Sequence, residues 1–403
     1  MTRRNTAGDR PEPRPAGLVR DSRTVLTYAQ LGIYGYFLYG FGPALTLLRH
    51  EQNFSRTVAG LHGTALACGA LLSALCVAPL AIRFGRTAMI WFGLVVLCAG
   101  VATFTSFTAV PVTLLAAVLC SFGGSFVVTC SSTVLSAVHL GGGAAAITEA
   151  NAVAASVGAV APLVVGAADG IGAGWRPAVF LVVPAVGVLA LLGRRAARVP
   201  RPTAPARTGR AGRLSGHYWV SWVVVTAGIG VEFCLSLWAA DLLHERTTLS
   251  RAAAAASVTA LVAGMAVGRL FGGSLALRVP VDRLMYAAIG VNAVGFALFW
   301  SATDSVLAVT GLLVSGLGVA LYFPLGLSRV IAASDGRPDQ ATARVGIGAA
   351  LASGGGPFAL GALADAAGIR VAMLIVPVLL LVAAAGLRLA PYRPVAAAGP
   401  RPG

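Results

Sequence analysis

Twelve apolar runs, each long enough to cross a bilayer as a helix, dominate this chain. A helix needs about 20 apolar residues to span the hydrocarbon core. Of the 403 residues, 57% are hydrophobic and 11% are charged, whereas a soluble protein carries about 25% charged residues. The sequence therefore predicts an all-α membrane protein. Its 12 predicted transmembrane helices lie at 25–48, 57–80, 87–105, 110–138, 145–168, 177–193, 218–243, 250–275, 283–302, 305–333, 342–365 and 370–390.

The second half of the chain repeats the first after 195 residues. Residues 81–83 align with 276–278, and Pro162 aligns with Pro357. A repeat of this length in a membrane protein indicates two similar bundles, with a solute site between them. We therefore predict two pseudo-symmetric six-helix bundles joined by a basic linker. The predicted domains are a cytoplasmic N-terminal tail (1–24), an N-terminal bundle (25–193), a cytoplasmic linker (194–217), a C-terminal bundle (218–390) and a cytoplasmic C-terminal tail (391–403).

The positive charges, all of them arginines, are distributed unevenly along the chain. With the N-terminus inside, the inner tails and loops carry 20 arginines and the outer loops carry six. Because positive residues favour the cytoplasmic side, we predict a multi-pass protein of the inner or plasma membrane with both termini in the cytoplasm. The basic segments lack interleaved aromatic residues for base stacking, so no nucleic acid partner is expected. The N-terminal segment has no short apolar core and is not a signal peptide.

A short basic motif follows the second span. Arg83, Gly85 and Arg86 match the end of a pattern that reads glycine, three residues, then aspartate-arginine-x-glycine-arginine. In this motif and in its twelve-span plan, the chain resembles the major facilitator superfamily (MFS) over residues 25–390. The resemblance implies a secondary transporter that alternates access between two six-helix bundles.

The chain departs from that family pattern at its acidic position. Ile82 stands where the family has aspartate, and Leu277 stands before Arg278 in the equivalent loop of the second half. The resemblance implies that the aspartate helps to latch the two halves on the cytoplasmic side. An altered inner latch is therefore expected here.

Two charged residues begin the fifth and eleventh spans, Glu149 and Arg344. One hypothesis is that Glu149 pairs with Arg278, or with Arg269 nearby, as a substitute inner gate. The alternative is an acid that the helix dipole favours at a helix start.

Proline interrupts the same two spans, at Pro162 and Pro357. Proline removes a helix hydrogen bond, and neighbouring glycines admit a close backbone contact between halves. The resemblance implies export, because a glycine-proline pair in the fifth span is common in exporters of the family.

Glu232 is the principal candidate for the coupling site. It lies 14 residues into the seventh span, which at about 1.5 Å per residue is roughly 21 Å into the membrane. An ionisable group at that depth is a functional candidate, and this one could exchange a proton. Ser236 lies one turn away on the same face and is predicted to share a cavity with it. The alternative is a protonated, hydrogen-bonded structural glutamate. Asp241, nine residues further on, is expected to lie at the outer end of the span as a solvated rim charge.

Polar and aromatic residues in other spans are further candidates for a solute pocket. Tyr34 in the first span and Tyr322 in the tenth are predicted pocket residues, although aromatic side chains of the first span could equally face lipid. The fourth span carries a hydroxyl stripe that shares one helical face and either lines a cavity or bonds back to its own helix. Its members are Ser121, Ser125, Thr129, Ser132 and Ser136.

These patterns favour a secondary active transporter over other classes. The chain contains no lysine and hence no ATP-binding loop of the Gly-x-x-x-x-Gly-Lys type. We expect no enzyme activity, no cofactor and no metal site. The predicted partners are a small-molecule substrate, protons and the lipid bilayer, and the expected oligomeric state is a monomer. The leading prediction is proton-coupled efflux of a small organic compound such as a drug or metabolite. The alternatives are proton-coupled uptake of a sugar-like or other nutrient solute, and a non-transporting membrane sensor.

Overall fold

The structure is a computed structural model that describes residues 20–139, 143–193, 214–276, 278–334 and 337–392. Within these residues it is built from α-helices, of which twelve spans are long and apolar enough to cross a membrane. The all-α prediction is therefore confirmed. The predicted tails and linker fall largely outside the described residues, which leave out 1–19, 194–213 and 393–403.

The N-terminal half supplies the first six spans. Five of them are single helices, and the sixth is divided into two helices at Leu181. The helices are α1 (Ser22–Gln52), α2 (Arg56–Phe84), α3 (Arg86–Ser106), α4 (Val110–Val138), α5 (Gly143–Gly170), α6 (Arg176–Phe180) and α7 (Val182–Gly193).

The C-terminal half supplies the other six spans. Three of these are divided into two helices by one or two residues, such as Val258. The helices are α8 (Gly216–Arg246), α9 (Arg251–Ser257), α10 (Thr259–Ala276), α11 (Val281–Ser301), α12 (Ser305–Val319), α13 (Tyr322–Ala332), α14 (Pro338–Ala367), α15 (Ile369–Ala372) and α16 (Ile375–Leu389).

The breaks within spans are tight helical turns and not loops. At Val258 the backbone stays in the right-handed helical region, and its N–H bonds to the carbonyl three residues back, of Ala255. Such three-residue turns tighten a helix without ending it. The continuous runs read from the sequence therefore correspond to single spans.

Short polar side chains start several of the helices. Each accepts a hydrogen bond from a backbone N–H of the first turn that has no partner within the helix. These capping residues are Asp21, Ser55, Ser215, Ser250 and Asp304.

The spans alternate in direction, so each loop lies on one of two faces. We call the face where α1 begins the tail side and the face where α1 ends the far side. Close contacts between the two halves, made where glycine leaves room, extend from the middle of the bundle to the far side. Gly42 of α1 contacts the Ser236 carbonyl of α8, and Gly60 of α2 contacts Phe358 of α14. Gly166 of α5 likewise packs on α9. Because a side chain at these positions would overlap the opposite backbone, the halves are tightly sealed there.

Candidate transport site

Glu232 lies near the middle of α8, where the two halves meet. Its side chain is 15% exposed. One carboxylate oxygen, Oε1, accepts a hydrogen bond of 3.2 Å from the hydroxyl of Tyr39 on α1. The contact joins the two halves of the protein at the depth where a charge costs most.

Arg269 of α10 is the charged neighbour of Glu232. Its Nη2 lies 3.9 Å from Glu232 Oε1, which is longer than a direct charged hydrogen bond of about 2.8 Å. The Arg269 side chain is 24% exposed. The sequence offered Arg269 as a partner for Glu149, and the structure instead pairs it with Glu232.

Glycines position the tyrosine that bonds to Glu232. The ring of Tyr39, 8% exposed, packs directly against Gly158 of α5, where an added Cβ would overlap Cδ2 of the ring. Gly35 in turn lets α1 approach the α5 backbone at Ala154. The small residues around Pro162 thus serve a close α1–α5 contact that sets the hydroxyl of Tyr39 on the carboxylate.

A small cleft opens beside Glu232. Its polar end holds Glu232, Tyr39 and Ser236, and the rest is apolar. The Ser236 Oγ is buried and has no hydrogen-bond partner among the described residues, so it can form a hydrogen bond with a bound solute. The other lining residues are Leu38, Phe41, Leu66, Phe233 and Leu237.

The hydroxyl stripe of α4 becomes more exposed toward the tail side. Ser121 is buried, Ser125 is half-buried and Thr129 is exposed. Ser132 donates a hydrogen bond back to the Val128 carbonyl, as expected of a hydroxyl that serves its own helix. The stripe therefore contains at least one hydroxyl that bonds within its own helix, that of Ser132. The hydroxyls of Ser125 and Thr129 remain candidates for contact with a solute.

The two predicted pocket tyrosines occupy different environments. Tyr34 is half-buried, and its ring lies against Gly124 of α4, next to Ser125. Tyr322 is 3% exposed and packs against Gly228 behind α8, with its hydroxyl 3.5 Å from the Ala288 carbonyl. Because that hydroxyl points into the C-terminal half, the structure does not bring Tyr322 to the cleft beside Glu232.

A cluster of charges joins the halves at the far side. Asp241 of α8 pairs with Arg49 of α1, and its Oδ2 lies 2.6 Å from Arg56 Nε of α2. Arg56 also pairs with Glu245 at 2.8 Å. The sequence predicted a solvated rim charge at Asp241, and that prediction is wrong, because the residue is only 2% exposed. We call Arg49, Arg56, Asp241 and Glu245 the far-side cluster.

A second carboxylate reaches across the same interface. Asp365, in the last turn of α14, accepts hydrogen bonds from the backbone N–H groups of Arg56 and Thr57 at 2.9 and 2.7 Å. It also accepts one from the Thr57 hydroxyl at 2.6 Å. The C-terminal half thereby caps the first turn of α2 in the N-terminal half.

The predicted tail-side gate has other partners than expected. Glu149 accepts hydrogen bonds from Arg20 Nε at 2.7 Å and from the Tyr28 hydroxyl at 3.0 Å, both within its own half. Arg278 is exposed, and Arg344 lies over the ring of Trp219 at 5.2 Å. The proposed pairing of Glu149 with Arg278 or Arg269 is therefore not the arrangement in this structure, since Glu149 is already bonded to α1.

The other residues singled out from the sequence motifs lie at the tail-side turn between α2 and α3, or inside the helices α5 and α14. Gly85 has a φ of +90° between α2 and α3, a conformation that favours glycine. Arg83 lies 5.2 Å from the ring of Phe84, and Arg86 begins α3. Pro162 and Pro357 lie inside the uninterrupted helices α5 and α14.

Two residues next to Glu232 were not predicted as its partners. Arg269 stands alone in the apolar stretch 259–276, and a lone arginine inside a span is a signal in its own right. Tyr39 carried no comparable signal, because it is one of several aromatic residues in α1. Among the described residues, no group of three His, Cys, Asp or Glu side chains is placed to hold a metal ion.

Twelve spans in two six-helix halves define an integral, multi-pass membrane protein. The sequence matches the Major Facilitator Superfamily at residues 28–239 and 220–403. The chain belongs to this superfamily, which confirms the resemblance drawn from its motifs. Family and fold together make it a secondary transporter.

Solved transporters share the fold at low sequence identity. A bacterial homologue of the human lysosomal transporter Spinster, in an inward-facing and occupied conformation, is 17% identical with a TM-score of 0.75. The alignment covers 93% of this chain and 97% of that one. The MFS transporter FucP in an outward conformation is 15% identical with a TM-score of 0.63, over 92% and 98% of the two chains.

A sequence relative covers part of the chain. The uncharacterized transporter y4wD of Sinorhizobium fredii is 33% identical over 166 residues. This match spans 40% of the present chain and 43% of the relative, which is less than half of either protein.

Proposed function

We propose that this protein couples the movement of a small organic compound to protons through Glu232. The observation that carries the proposal is the position of this carboxyl. It lies mid-membrane at the polar end of a cleft, held by Tyr39 from the opposite half and close to Arg269.

Protonation of Glu232 would change the forces at the interface between the halves. The ionised carboxylate attracts Arg269 at 3.9 Å, a Coulomb term on the order of 4 kcal/mol at an effective dielectric constant of about 20. It also accepts the hydrogen bond from Tyr39. A proton on Glu232 removes the first attraction, which lies within the C-terminal half, and weakens the second, which joins the two halves. Through the Tyr39 contact the proton biases the rocking of one half against the other.

The far-side cluster supports a tail-side-open state as the conformation described. Charged pairs and glycine contacts seal the halves at the far side. If the arginine bias assigns the tail side to the cytoplasm, the site faces inward and the far-side cluster is the extracellular gate. The localisation proposed is the inner or plasma membrane with both termini cytoplasmic.

The direction of transport separates the two candidate functions. Efflux, the leading prediction, requires that solute and proton compete for Glu232. Uptake requires that both bind together. The span-five proline motif favours efflux, and the positive neighbour of Glu232 favours uptake, because a solute can take the place of the carboxylate beside Arg269.

A screen followed by reconstitution tests the proposal. Cells expressing wild type, Glu232→Gln and the control Asp169→Asn are compared for resistance and accumulation across a broad panel of compounds. Asp169 is a partly buried acid at the far-side end of α5, away from the cleft. A compound that responds is then assayed in proteoliposomes under an imposed pH gradient.

For one proton per solute, a gradient of one pH unit supports accumulation of up to about tenfold. We expect Glu232→Gln to abolish that accumulation and to keep solute exchange without a gradient, whereas Asp169→Asn keeps both. Equal behaviour of wild type and Glu232→Gln for every compound would refute the coupling role. A chain that moves no compound at all would favour the membrane-sensor alternative.

A further inference from the structure

The charge pair beside the cleft is incomplete in its geometry. Arg269 Nη2 lies 3.9 Å from Glu232 Oε1, and the Arg269 side chain is 24% exposed. A guanidinium carries five N–H donors in a planar fork that matches a carboxylate at both oxygens. In this structure that fork makes no two-bond pair with Glu232; Arg269 interacts with the Tyr39 hydroxyl and lies 3.9 Å from Glu232. Two such contacts use fewer than the five donors of the guanidinium, so donors remain for a ligand.

The balance of charge at this depth depends on one proton. Among the described residues, the charged or titratable groups that face Glu232 are Arg269 from α10 and Tyr39 from α1. With Glu232 ionised, its charge cancels that of Arg269. With Glu232 protonated, Arg269 remains positive, because a guanidinium does not release its proton in proteins. A buried, unpaired cation is unfavourable, and a bound anion removes that penalty.

We propose that the transported solute is a small organic anion whose carboxylate binds Arg269 while Glu232 carries a proton. The proposal rests on the proton-coupling function above and adds the substrate class to it. Solute and proton then bind together and cross together, which favours uptake over efflux. An organic cation is disfavoured, since it would meet the positive charge of Arg269.

The cleft next to Glu232, which Tyr39 and Ser236 line but Arg269 does not, indicates the chemistry of the rest of the anion. Beyond the polar end its lining is apolar, with Leu38, Phe41, Leu66 and Leu237. The unpartnered Ser236 Oγ can donate one further hydrogen bond. A compact acid with an apolar body fits this lining better than a sugar with many hydroxyls, because buried hydroxyls need partners that these side chains lack.

Matched probes of one shape and three charges test the substrate class. The probes are benzoate, benzamide and benzylamine, and a second series of butyrate, butyramide and butylamine. Each is added to the purified full-length protein in detergent, and binding is read as a shift of the thermal unfolding midpoint. Proton uptake or release is read in parallel with a pH-sensitive dye in weak buffer.

We expect the acids alone to bind, with proton uptake on binding. Arg269→Gln should weaken their binding roughly ten- to a hundredfold, the effect of losing hydrogen bonds to a charged group. Arg388→Gln, which removes an exposed arginine of α16, is the matched control and should bind as wild type does. Glu232→Gln should bind the acids without proton uptake, since its side chain is permanently neutral. Arg269→Lys keeps the charge but loses the fork, and should bind with intermediate affinity.

Any one of three results overturns the proposed substrate class. These are that the wild-type protein binds the amide or the amine as tightly as the acid, that Arg269→Gln binds the acids as tightly as wild type does, or that no acid binds at all. The proton-coupling function fails separately, if Glu232→Gln still takes up a proton when an acid binds. If amines bind wild type with proton release and Glu232→Gln loses that release, proton coupling stands and the anion proposal falls.

Discussion

Neutralising Asp241 is expected to open the far side of the protein. Asp241 is 2% exposed and pairs with Arg49 of α1 and with Arg56 of α2. Both arginines belong to the opposite half, so these pairs exist only while the far side is closed. The substitution Asp241→Asn keeps the size of the side chain and removes its charge.

The expected magnitude follows from the two pairs. A hydrogen bond to a charged group contributes about 1.5–3 kcal/mol, and solvent weakens these two because Arg49 and Arg56 are 13% and 21% exposed. We therefore expect Asp241→Asn to destabilise the far-side-closed state by about 3 kcal/mol, which changes the ratio of closed to open molecules by roughly a hundredfold.

Distances between spin labels on the two halves measure that ratio. Labels at Ile171, which is 83% exposed, and at the exposed Thr303 report on opposite halves at the far side. The more accessible cysteines, Cys68, Cys76 and Cys98, are first replaced, because the buried ones are shielded from the reagent.

A matched substitution provides the control for this experiment. Glu51→Gln removes an ion pair with Arg176 at 2.7 Å on the same side, but that pair lies within one half. We expect Asp241→Asn to add a population at longer distance and Glu51→Gln to leave the distribution as in wild type. If both variants match wild type, the far-side cluster does not hold the halves together and the reasoning fails.

Three further substitutions test the packing around the sites. Gly158→Ala should displace the ring of Tyr39 and reduce proton-driven accumulation while solute exchange persists; unchanged accumulation in the proteoliposome assay would argue against this positioning role. Asp365→Ala should cost about 1 kcal/mol, because the first turn of α2 loses the hydrogen bonds that Asp365 accepts in addition to the Ser55 cap; this should appear as faster hydrogen exchange of that turn, and equal exchange rates would contradict it. Arg329→Met should lower stability by about 1–3 kcal/mol, because the buried Ala390 carbonyl loses its hydrogen bond and Asp282 loses its ion pair; the thermal unfolding midpoint measures this, and an unchanged midpoint would show that these groups are satisfied without Arg329.

The sequence was sufficient to predict the architecture and the position of Glu232 along its helix. In a bilayer, the backbone N–H and C=O groups of a run of about 20 apolar residues find hydrogen-bond partners when the run forms a helix. The number of spans therefore followed from the number of runs of that length. The depth of Glu232 followed from counting residues at a fixed rise. Both properties are local, since they depend on one segment at a time.

The partners of the charged residues depended on contacts that no single segment specifies. Glu149 was expected to reach the opposite half, and it bonds to Arg20 and Tyr28 in its own half. Asp241 was expected to face solvent, and the arginines at the end of α1 and the start of α2 bury it. In each case the outcome depends on how far one half is rotated against the other, which the periodicity of a helix leaves undetermined.

The sequence by itself determined that this chain forms twelve membrane-spanning helices in two related halves, with one acid at the middle of the seventh span. The bilayer is the physical reason. Each apolar run is long enough to cross it, and a helix satisfies the backbone hydrogen bonds of the run where no water is available. Only the tertiary structure decided that Tyr39 and Arg269 meet that acid, and that the charges of the far side close the halves. The contacts of Glu232 with Tyr39 and Arg269 join residues 193 and 37 positions apart in the chain. The contact with Tyr39 joins the two halves, and it depends on glycines that allow helices to pack backbone against backbone.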